Sequence, residues 1–192
     1  MAKNSSAMFQ TGDFRGSFVK VLEPEADGKR SIQMLFKKTS DDWKKDPVLE
    51  PFRNAIREVM KAEFGDDVPK GLHMPIIDGD EKPWEGCEGM WLIRASTKRP
   101  VGVVDGFAKL IMDPSQVYSG AWYRAMVHIY PFEYREEGRL MKRGFSVGLD
   151  ALQKIRDGEP LGGTGIDAES VFSPVAGATK PASKTDDSIF DL

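Results

Sequence analysis

The chain has very few of the residues that build metal sites and covalent active sites. It contains one cysteine, Cys87, and two histidines, His73 and His128. A lone cysteine cannot form an internal disulfide, which favours a reducing compartment or one whose redox state does not matter. No two of these residues have the spacing of zinc ligands, and the sequence has neither a GxxxxGK[ST] phosphate loop nor a GxSxG nucleophile motif. We therefore expect a non-enzymatic protein without a metal or a cofactor.

Long apolar runs are missing as well. No window approaches about 18 consecutive apolar residues, the length of a membrane-spanning helix. The first sixteen residues contain a single lysine and no apolar run, unlike a secretory signal peptide. These features predict a soluble, cytoplasmic protein with no membrane partner.

Positive charge is not in excess, although lysine and arginine are the residues that drive phosphate binding. The chain has 27 lysines and arginines against 30 aspartates and glutamates, a formal net charge of −3. Three of the acids, Asp186, Asp187 and Asp191, lie in the last seven residues, and leaving them out gives 27 acids against 27 bases. A neutral body of this kind binds a polyanion only where its bases cluster on one face.

Alternating apolar residues and turn residues predict a mainly β protein with one inserted helix. The helix is predicted over residues 46–64, with Asp46 as N-cap, Pro47 in the first turn and Gly65 at its end. A second, short helix is predicted over residues 150–156. The strand candidates are residues 14–22, 31–38, 90–98, 101–104, 118–132 and 144–149. Short strands, long loops and no βαβα alternation favour a small antiparallel β-barrel.

Composition divides the chain into four parts. Residues 1–12 are predicted to be a flexible N-terminus and residues 13–163 the folded domain. Residues 164–185 have the composition of a flexible linker. Residues 186–192, DDSIFDL, are predicted to be a disordered acidic tail that binds a basic patch and a pocket on a partner, or the chain's own cationic groove. The candidate partner-binding residues are Asp186, Asp187, Ile189, Phe190 and Asp191.

Residues 118–132 form the most informative strand candidate. Side chains alternate between the two faces of a strand. One face is small and apolar: Ala121, Tyr123, Ala125, Val127 and Ile129. The other combines aromatic rings with cationic or potentially cationic groups: Trp122, Arg124, Met126, His128, Tyr130 and Phe132. Exposed rings stack on unpaired bases for about 1–3 kcal/mol per base, so the second face is a candidate surface for single-stranded DNA.

Two alternatives stay open for this surface. If both faces were buried, the rings would be ordinary core, although an arginine and a histidine argue against a dry core. A shift of one residue in register would exchange the two faces. The predicted DNA contacts elsewhere are Trp91 for stacking, and Arg94, Lys37, Lys98 and Arg143 for phosphates.

Acidic residues support a second functional hypothesis, that the chain is a metal-dependent nuclease. The candidate ligands are Asp78, Asp80 and Glu81, or Asp105 and Asp113. Two-metal sites need carboxylates that converge on a shared centre, whereas these acids lie in one turn or far apart in the sequence. A third hypothesis is that the chain is an adaptor that binds only proteins, through its tail.

Four segments resemble a known family. The block YSGAWYRAMVHIYPF, followed by RGFSVGLDALQKIRDGEPLGG, is similar to the bacteriophage single-stranded DNA-binding proteins typified by that of an Enterobacter phage. The SIQMLFKK strand and the PVGVVD segment fit the same layout. The resemblance covers roughly residues 10–165.

The resemblance implies an OB-fold, a barrel that binds oligonucleotides. It also implies binding to single strands without sequence specificity, no catalysis, and a role in phage DNA replication or recombination in the host cytoplasm. The tail is similar to the acidic tails with which such proteins recruit replication and recombination proteins, but here the aromatic residue stands third from the end. Whether the chain is a homo-oligomer stays open.

Overall fold

The structure is a computed structural model that describes residues 6–84 and 86–162. The predicted linker and acidic tail lie outside the described residues. Within these residues the chain forms eight strands and one α-helix, α1 (Glu50–Phe64). The strands are β1 (Ala7–Gln10), β2 (Phe14–Lys20), β3 (Arg30–Lys37), β4 (Ile76–Asp78), β5 (Met90–Thr97), β6 (Gly102–Val104), β7 (Trp122–Glu136) and β8 (Arg139–Arg156).

Five strands pair in a closed ring, in the order β7, β2, β3, β5, β8 and back to β7. Every joint of the ring is antiparallel except the parallel joint between β5 and β8. The short strands lie beside the ring: β1 pairs with β7, β4 with β5, and β6 with β8. This pattern of pairing is consistent with an OB-like fold.

The helix begins as the sequence predicts. Asp46 accepts a hydrogen bond from the backbone N–H of Val48 at 3.0 Å, and a short 3-10 turn, Pro47–Leu49, leads into α1. The helix ends at Gly65, whose φ of 61° is a conformation that favours glycine. The prediction of a helix over 46–64 is therefore confirmed, with its first turn in 3-10 form.

The main core combines the inward side chains of the ring with one face of α1. The buried residues shared among the ring strands include Phe14, Ile32, Met34, Ile93, Tyr123, Val127 and Val147. On the helix, Phe52 packs edge-on against Phe36, with ring centroids 5.6 Å apart, and Phe64 packs against Phe145 at 6.4 Å. The helix therefore covers the end of the ring where β3 ends and β8 begins.

The N-terminal segment differs from its prediction. Residues 7–10, expected to be flexible, form β1 and pair with residues 126–129 of β7. The reason is that β2 pairs with only the first two residues of β7, which leaves the backbone of β7 beyond them open to another strand. The conformation of β1 therefore depends on pairing with a distant strand, which the short sequence of β1 does not indicate.

The predicted C-terminal helix over residues 150–156 is wrong. These residues are the last part of β8, because β6 pairs with Ala151, Leu152 and Gln153 on one side and β7 pairs as far as Arg156 on the other. Two pairing partners override the helical preference of this segment. In the described part of the chain, no helix has the length and apolar content needed to cross a membrane.

Candidate nucleic-acid interface

The long strand β7 has the two faces that its sequence predicts. Ala121, just before the strand, and Tyr123, Ala125, Val127 and Ile129 within it are buried in the core. The alternate residues are half-exposed on the outside of the ring. We call this outer set the β7 face, and its members are Trp122, Arg124, Met126, His128, Tyr130 and Phe132.

Several β7-face side chains already have partners within the protein. Arg124 forms a salt bridge with Asp13 at 2.6 Å. His128 Nδ1 lies 2.6 Å from a carboxylate oxygen of Asp150. The Trp122 ring is covered by the guanidinium of Arg156, whose Cζ lies 4.2 Å from the ring centroid. The β7 face is therefore open only in part, since a DNA strand lying on it would have to displace these contacts.

Trp91, predicted to stack on DNA, is a core residue instead. Its side chain is only 2% exposed, and its Nε1 donates a hydrogen bond to Asp46 at 2.9 Å. The alternation of β5 explains the difference, because Trp91, Ile93 and Ala95 all point inward. The prediction that Trp91 contacts DNA is therefore wrong for this structure.

The outward side chains of β3 and β5 form a second surface. The two strands pair in register, with Gln33 opposite Arg94 and Leu35 opposite Leu92. Part of this surface is covered, because Leu35 and Leu92 form a small apolar cluster with buried Cys87. Burial raises the pKa of the Cys87 thiol, so this cysteine is not an accessible nucleophile.

The other part of the β3–β5 surface is an open cavity of about 300 Å³. We call it the Phe18–Trp84 pocket, and its lining residues are Phe18, Lys20, Glu25, Ser31, Gln33, Trp84 and Arg94. Phe18 is 54% exposed and Trp84 is 43% exposed. The two rings meet edge-to-face with centroids 5.6 Å apart, so the pocket has an aromatic wall with free ring surface.

Backbone geometry at β2 exposes the phenylalanine ring. The pairing of β2 with β3 shifts register between Ser17 and Lys20, which marks a bulge. Phe18 lies within this bulge with a φ of 47°. A positive φ at a bulky residue costs of order 1–3 kcal/mol, and such strain is concentrated at functional sites.

Cationic groups surround the same pocket. Arg94, on the floor, forms a salt bridge with Glu25 at 2.8 Å but keeps an exposed side chain. Lys20 lies at the wall, and Lys82 Nζ lies 6.0 Å from the Trp84 ring centroid. Lys98 is exposed just beyond Thr97, which pairs with Arg30 at the same end of the two strands. The pocket therefore combines aromatic rings with bases, as single-strand binding surfaces do.

The structure brings together only some of the predicted phosphate contacts. Arg94 lines the pocket, and Lys98 follows the end of the pocket-bearing strand β5. Lys37 is exposed at the other end of β3, opposite Met90. Arg143 is half-exposed on β8, where it pairs with Glu133 of β7.

The acidic turn weighed as a metal site has a different local role. Asp78 and Asp80 both form ion pairs with Lys38. The pKa of Asp80 is lowered by hydrogen bonds from the backbone N–H of Gly89 and from Lys38. Across residues 6–84 and 86–162, no three acidic, histidine or cysteine side chains form a cluster suited to a metal ion.

Comparison with known proteins identifies the family. A family model described as the ssDNA-binding protein of Enterobacter phage Enc34 matches residues 8–187. The chain belongs to this family. The resemblance found in the sequence is therefore confirmed, and the members of the Enc34 family are phage single-stranded DNA-binding proteins.

Solved structures share the fold. The single-stranded DNA-binding protein from bacteriophage Enc34 matches with a TM-score of 0.59 and 21% identity, over 85% of this chain and 88% of that one. The same phage protein in complex with ssDNA matches with a TM-score of 0.57 and 22% identity, over 81% and 89%. The ssDNA-binding protein gp2.5 of bacteriophage T7 matches with a TM-score of 0.58 and 12% identity, over 92% and 100%. A search of curated protein sequences finds no significant match.

Sequence reasoning missed the aromatic wall of the pocket. Phe18 becomes exposed through a bulge, and Trp84 comes from a loop, so neither follows an alternating pattern. The one available signal was composition, since a tryptophan in a polar loop between strands has little apolar surface nearby to bury it.

Proposed function

We propose that this chain coats unpaired DNA without sequence specificity, and that the strand crosses the outer surface of β2, β3 and β5 at the Phe18–Trp84 pocket. The exposed pair of rings is the observation that carries the proposal, because every base has a face that can stack on an aromatic side chain. The corresponding surface of OB-folds, on their second and third strands, is the one that binds oligonucleotides. In this chain those strands are β3 and β5.

The electrostatic part of the site supports the same surface. Lys20 lines the pocket beside the rings, and Arg94 can exchange its surface ion pair with Glu25 for a phosphate. Such an exposed ion pair is worth at most about 1 kcal/mol, so the exchange has a small energetic penalty. Lys98 continues the cationic edge along the strand direction.

The β7 face is the secondary candidate for DNA contact. Its rings Trp122 and Tyr130 remain half-exposed, so bases can reach them after the phosphate contacts form. Its arginine and histidine are engaged with Asp13 and Asp150, which lowers the positive potential that this face offers. We therefore place the first contact at the pocket.

The wider role follows from the family. We propose that the protein holds phage DNA single-stranded during replication or recombination in the host cytoplasm, and that residues 186–192 recruit partner proteins. The proposed partner-binding groups are the three tail aspartates and the Ile189–Phe190 pair. The proposal includes no catalytic step and no cofactor.

The deciding experiment compares two tryptophans on different sides of the ring. Trp84→Ala removes the pocket ring, and Trp122→Ala removes a ring of the β7 face. From a stacking energy of about 1–3 kcal/mol per base, we expect Trp84→Ala to weaken binding to a labelled single-stranded oligonucleotide by about ten-fold or more. We expect Trp122→Ala to have the smaller effect.

The same titration tests the function itself. Wild-type protein should prefer the single strand to the duplex of the same sequence, and tryptophan fluorescence should be quenched on binding. Unchanged affinity in a folded Trp84→Ala protein, together with a large loss in Trp122→Ala, would move the site to the β7 face. Absence of binding to any single strand at low salt would refute the function.

A further inference from the structure

Three of the most exposed large apolar side chains of the described residues lie on one short hairpin after β6. Phe107 is 86% exposed, Met112 is 77% exposed and Leu110 is 62% exposed. Single exposed apolar residues are ordinary, but a contiguous exposed group marks an interaction site. We call residues 105–112 the apolar hairpin.

Hydrogen bonds fix the shape of the apolar hairpin. The Asp105 carboxylate accepts from the backbone N–H groups of Phe107 at 2.8 Å and Lys109 at 2.9 Å. At its base, the N–H of Ile111 donates to the carbonyl of Val103 at 2.8 Å. A surface that is already ordered loses little conformational entropy when it binds.

An apolar groove of about 610 Å³ lies beside α1. Its apolar lining residues are Trp43, Ile56, Met60, Val68, Pro69, Leu72 and Met74. We call it the helix groove. Its size and its apolar lining suit a small group of apolar side chains such as the one that the hairpin presents.

Charge is complementary between the two surfaces. Lys44, Arg53 and Arg57 also line the helix groove, and within the described part of the chain none of them forms a salt bridge. Arg53 donates instead to backbone carbonyls, including that of Trp43 at 3.1 Å. The apolar hairpin has Asp105 at its start and exposed Asp113 directly after it, with one lysine between them.

The two surfaces border different stretches of β8. Phe145 of β8 packs against Phe64 of α1, the helix that borders the groove. Gln153, eight residues further along β8, donates a hydrogen bond at 3.1 Å to the carbonyl of Asp105 in the hairpin. Eight residues of extended strand span at most roughly 26 Å, so the hairpin and the helix groove border different stretches of β8.

We propose that the apolar hairpin of one copy docks into the helix groove of a second copy of this chain. A contact between two different surfaces is heterologous, and it extends into an open linear array unless rotation closes it. A linear array is an assembly in which neighbouring copies can cover a long strand. The contact itself stands on the two surfaces, whereas its use in coating DNA rests on the proposed function.

Thiol crosslinking between copies tests the contact. Phe107→Cys and Val68→Cys place one cysteine in the hairpin and one at the groove, both at exposed positions, while native Cys87 is buried. We expect a short bis-maleimide to crosslink a mixture of the two full-length variants several-fold more than either variant alone. Tyr134→Cys, an exposed position on the β7–β8 hairpin, replaces Phe107→Cys in the control mixture.

Each other crosslinking result overturns the proposal. A yield no higher than that of the control mixture would show that the two surfaces do not meet. Dominant crosslinking of Phe107→Cys with itself would show two hairpins packed together. Protection of the Val68→Cys thiol that does not change on dilution would assign the groove to a segment of the same chain.

A binding experiment separates this contact from DNA recognition. On an oligonucleotide long enough for one copy only, Phe107→Ser should bind with wild-type affinity. On a long single strand, we expect wild-type protein to bind cooperatively and Phe107→Ser to lose that cooperativity. An equal loss on the short oligonucleotide would place the hairpin on DNA and overturn the proposal. If wild-type protein bound neither strand, the proposed function would fail, and crosslinking would still decide the contact.

Discussion

At the scale of single residues, Asp46 connects the turn after β3, the start of the helix and Trp91 of β5 through hydrogen bonds. Its side chain is fully buried, and its carboxylate accepts five hydrogen bonds. The donors are Thr39 N, Thr39 Oγ1, Ser40 N, Val48 N and Trp91 Nε1. Burial alone would raise the pKa of Asp46, but the hydrogen bonds from Thr39, Trp91 and Val48 outweigh it and hold the pKa well below its ordinary value.

Asp46→Asn should therefore destabilise the fold in a pH-dependent way. An amide cannot satisfy the same set of buried donors, so we expect a loss of at least about 2 kcal/mol at pH 7. Because the folded-state pKa is lowered, the contribution of the carboxylate is complete above the unfolded pKa of about 3.9 and declines as pH falls below it. Urea unfolding at pH 7 and pH 3 should show a smaller difference between wild type and variant at pH 3. An equal difference at both pH values would contradict this account.

Phe18 allows backbone strain to be separated from the aromatic ring. Phe18→Ala and Phe18→Gly both remove the ring, so both should weaken single-strand binding. Only glycine adopts the positive φ without steric penalty, so we expect Phe18→Gly to be more stable than Phe18→Ala by about 1 kcal/mol. Thermal unfolding of the two variants measures this difference. Equal stabilities would mean that the backbone relaxes at position 18.

At the scale of elements, the segment after β8, residues 159–160, packs closely against the backbone just before β7. Gly120 has a φ of 113°, and a Cβ there would lie 2.1 Å from the carbonyl oxygen of Glu159. Gly120→Ala should therefore destabilise the protein by about 2 kcal/mol or more. Gly102→Ala, in β6, is the matched control, since a Cβ at that position meets no atom within 4 Å. Urea unfolding of both variants tests the contact, and equal midpoints would argue against it.

Local pattern was sufficient for elements whose two faces differ. The alternation in β7 separates core from surface because one side is packed and the other is not. The helix start was recognisable because Asp46 caps it through its own side chain. Local pattern failed for β1 and for residues 150–156, where pairing with distant strands decides the conformation. The pocket was not predictable for the same reason, since Phe18 and Trp84 meet only in the folded chain.

At the scale of the whole molecule, varying the salt concentration should separate the contribution of phosphate contacts to DNA affinity from that of base stacking. Each phosphate contact on a single strand contributes about −0.7 to the slope of log K against log salt concentration. Lys20→Gln, in the pocket, should reduce the steepness by about this amount, whereas Trp84→Ala should lower affinity and leave the slope unchanged. Lys61→Gln, exposed on α1, is the control and should leave both unchanged. Binding isotherms at several salt concentrations measure the slopes, and a wild-type slope for Lys20→Gln would exclude Lys20 from phosphate contact.

Two joints of the ring are very short. β2 pairs in register with β7 through Phe14–Tyr123 and Arg15–Trp122, and Gly16 adds two backbone hydrogen bonds to residues 120 and 121. β5 pairs with β8 through Ala95–Val147 and Ser96–Gly148. The ring therefore consists of two sheets joined along two narrow seams, the β2–β7 joint and the β5–β8 joint. One sheet contains β2, β3 and β5 with the pocket, and the other contains β7 and β8 with β6. Tension in a DNA strand bound at the pocket acts on the first sheet, and it is transmitted to the second sheet only through these seams. Amide protons at the seams should exchange with solvent sooner than those at the centre of β3 or β7, and a taut DNA strand should widen that difference.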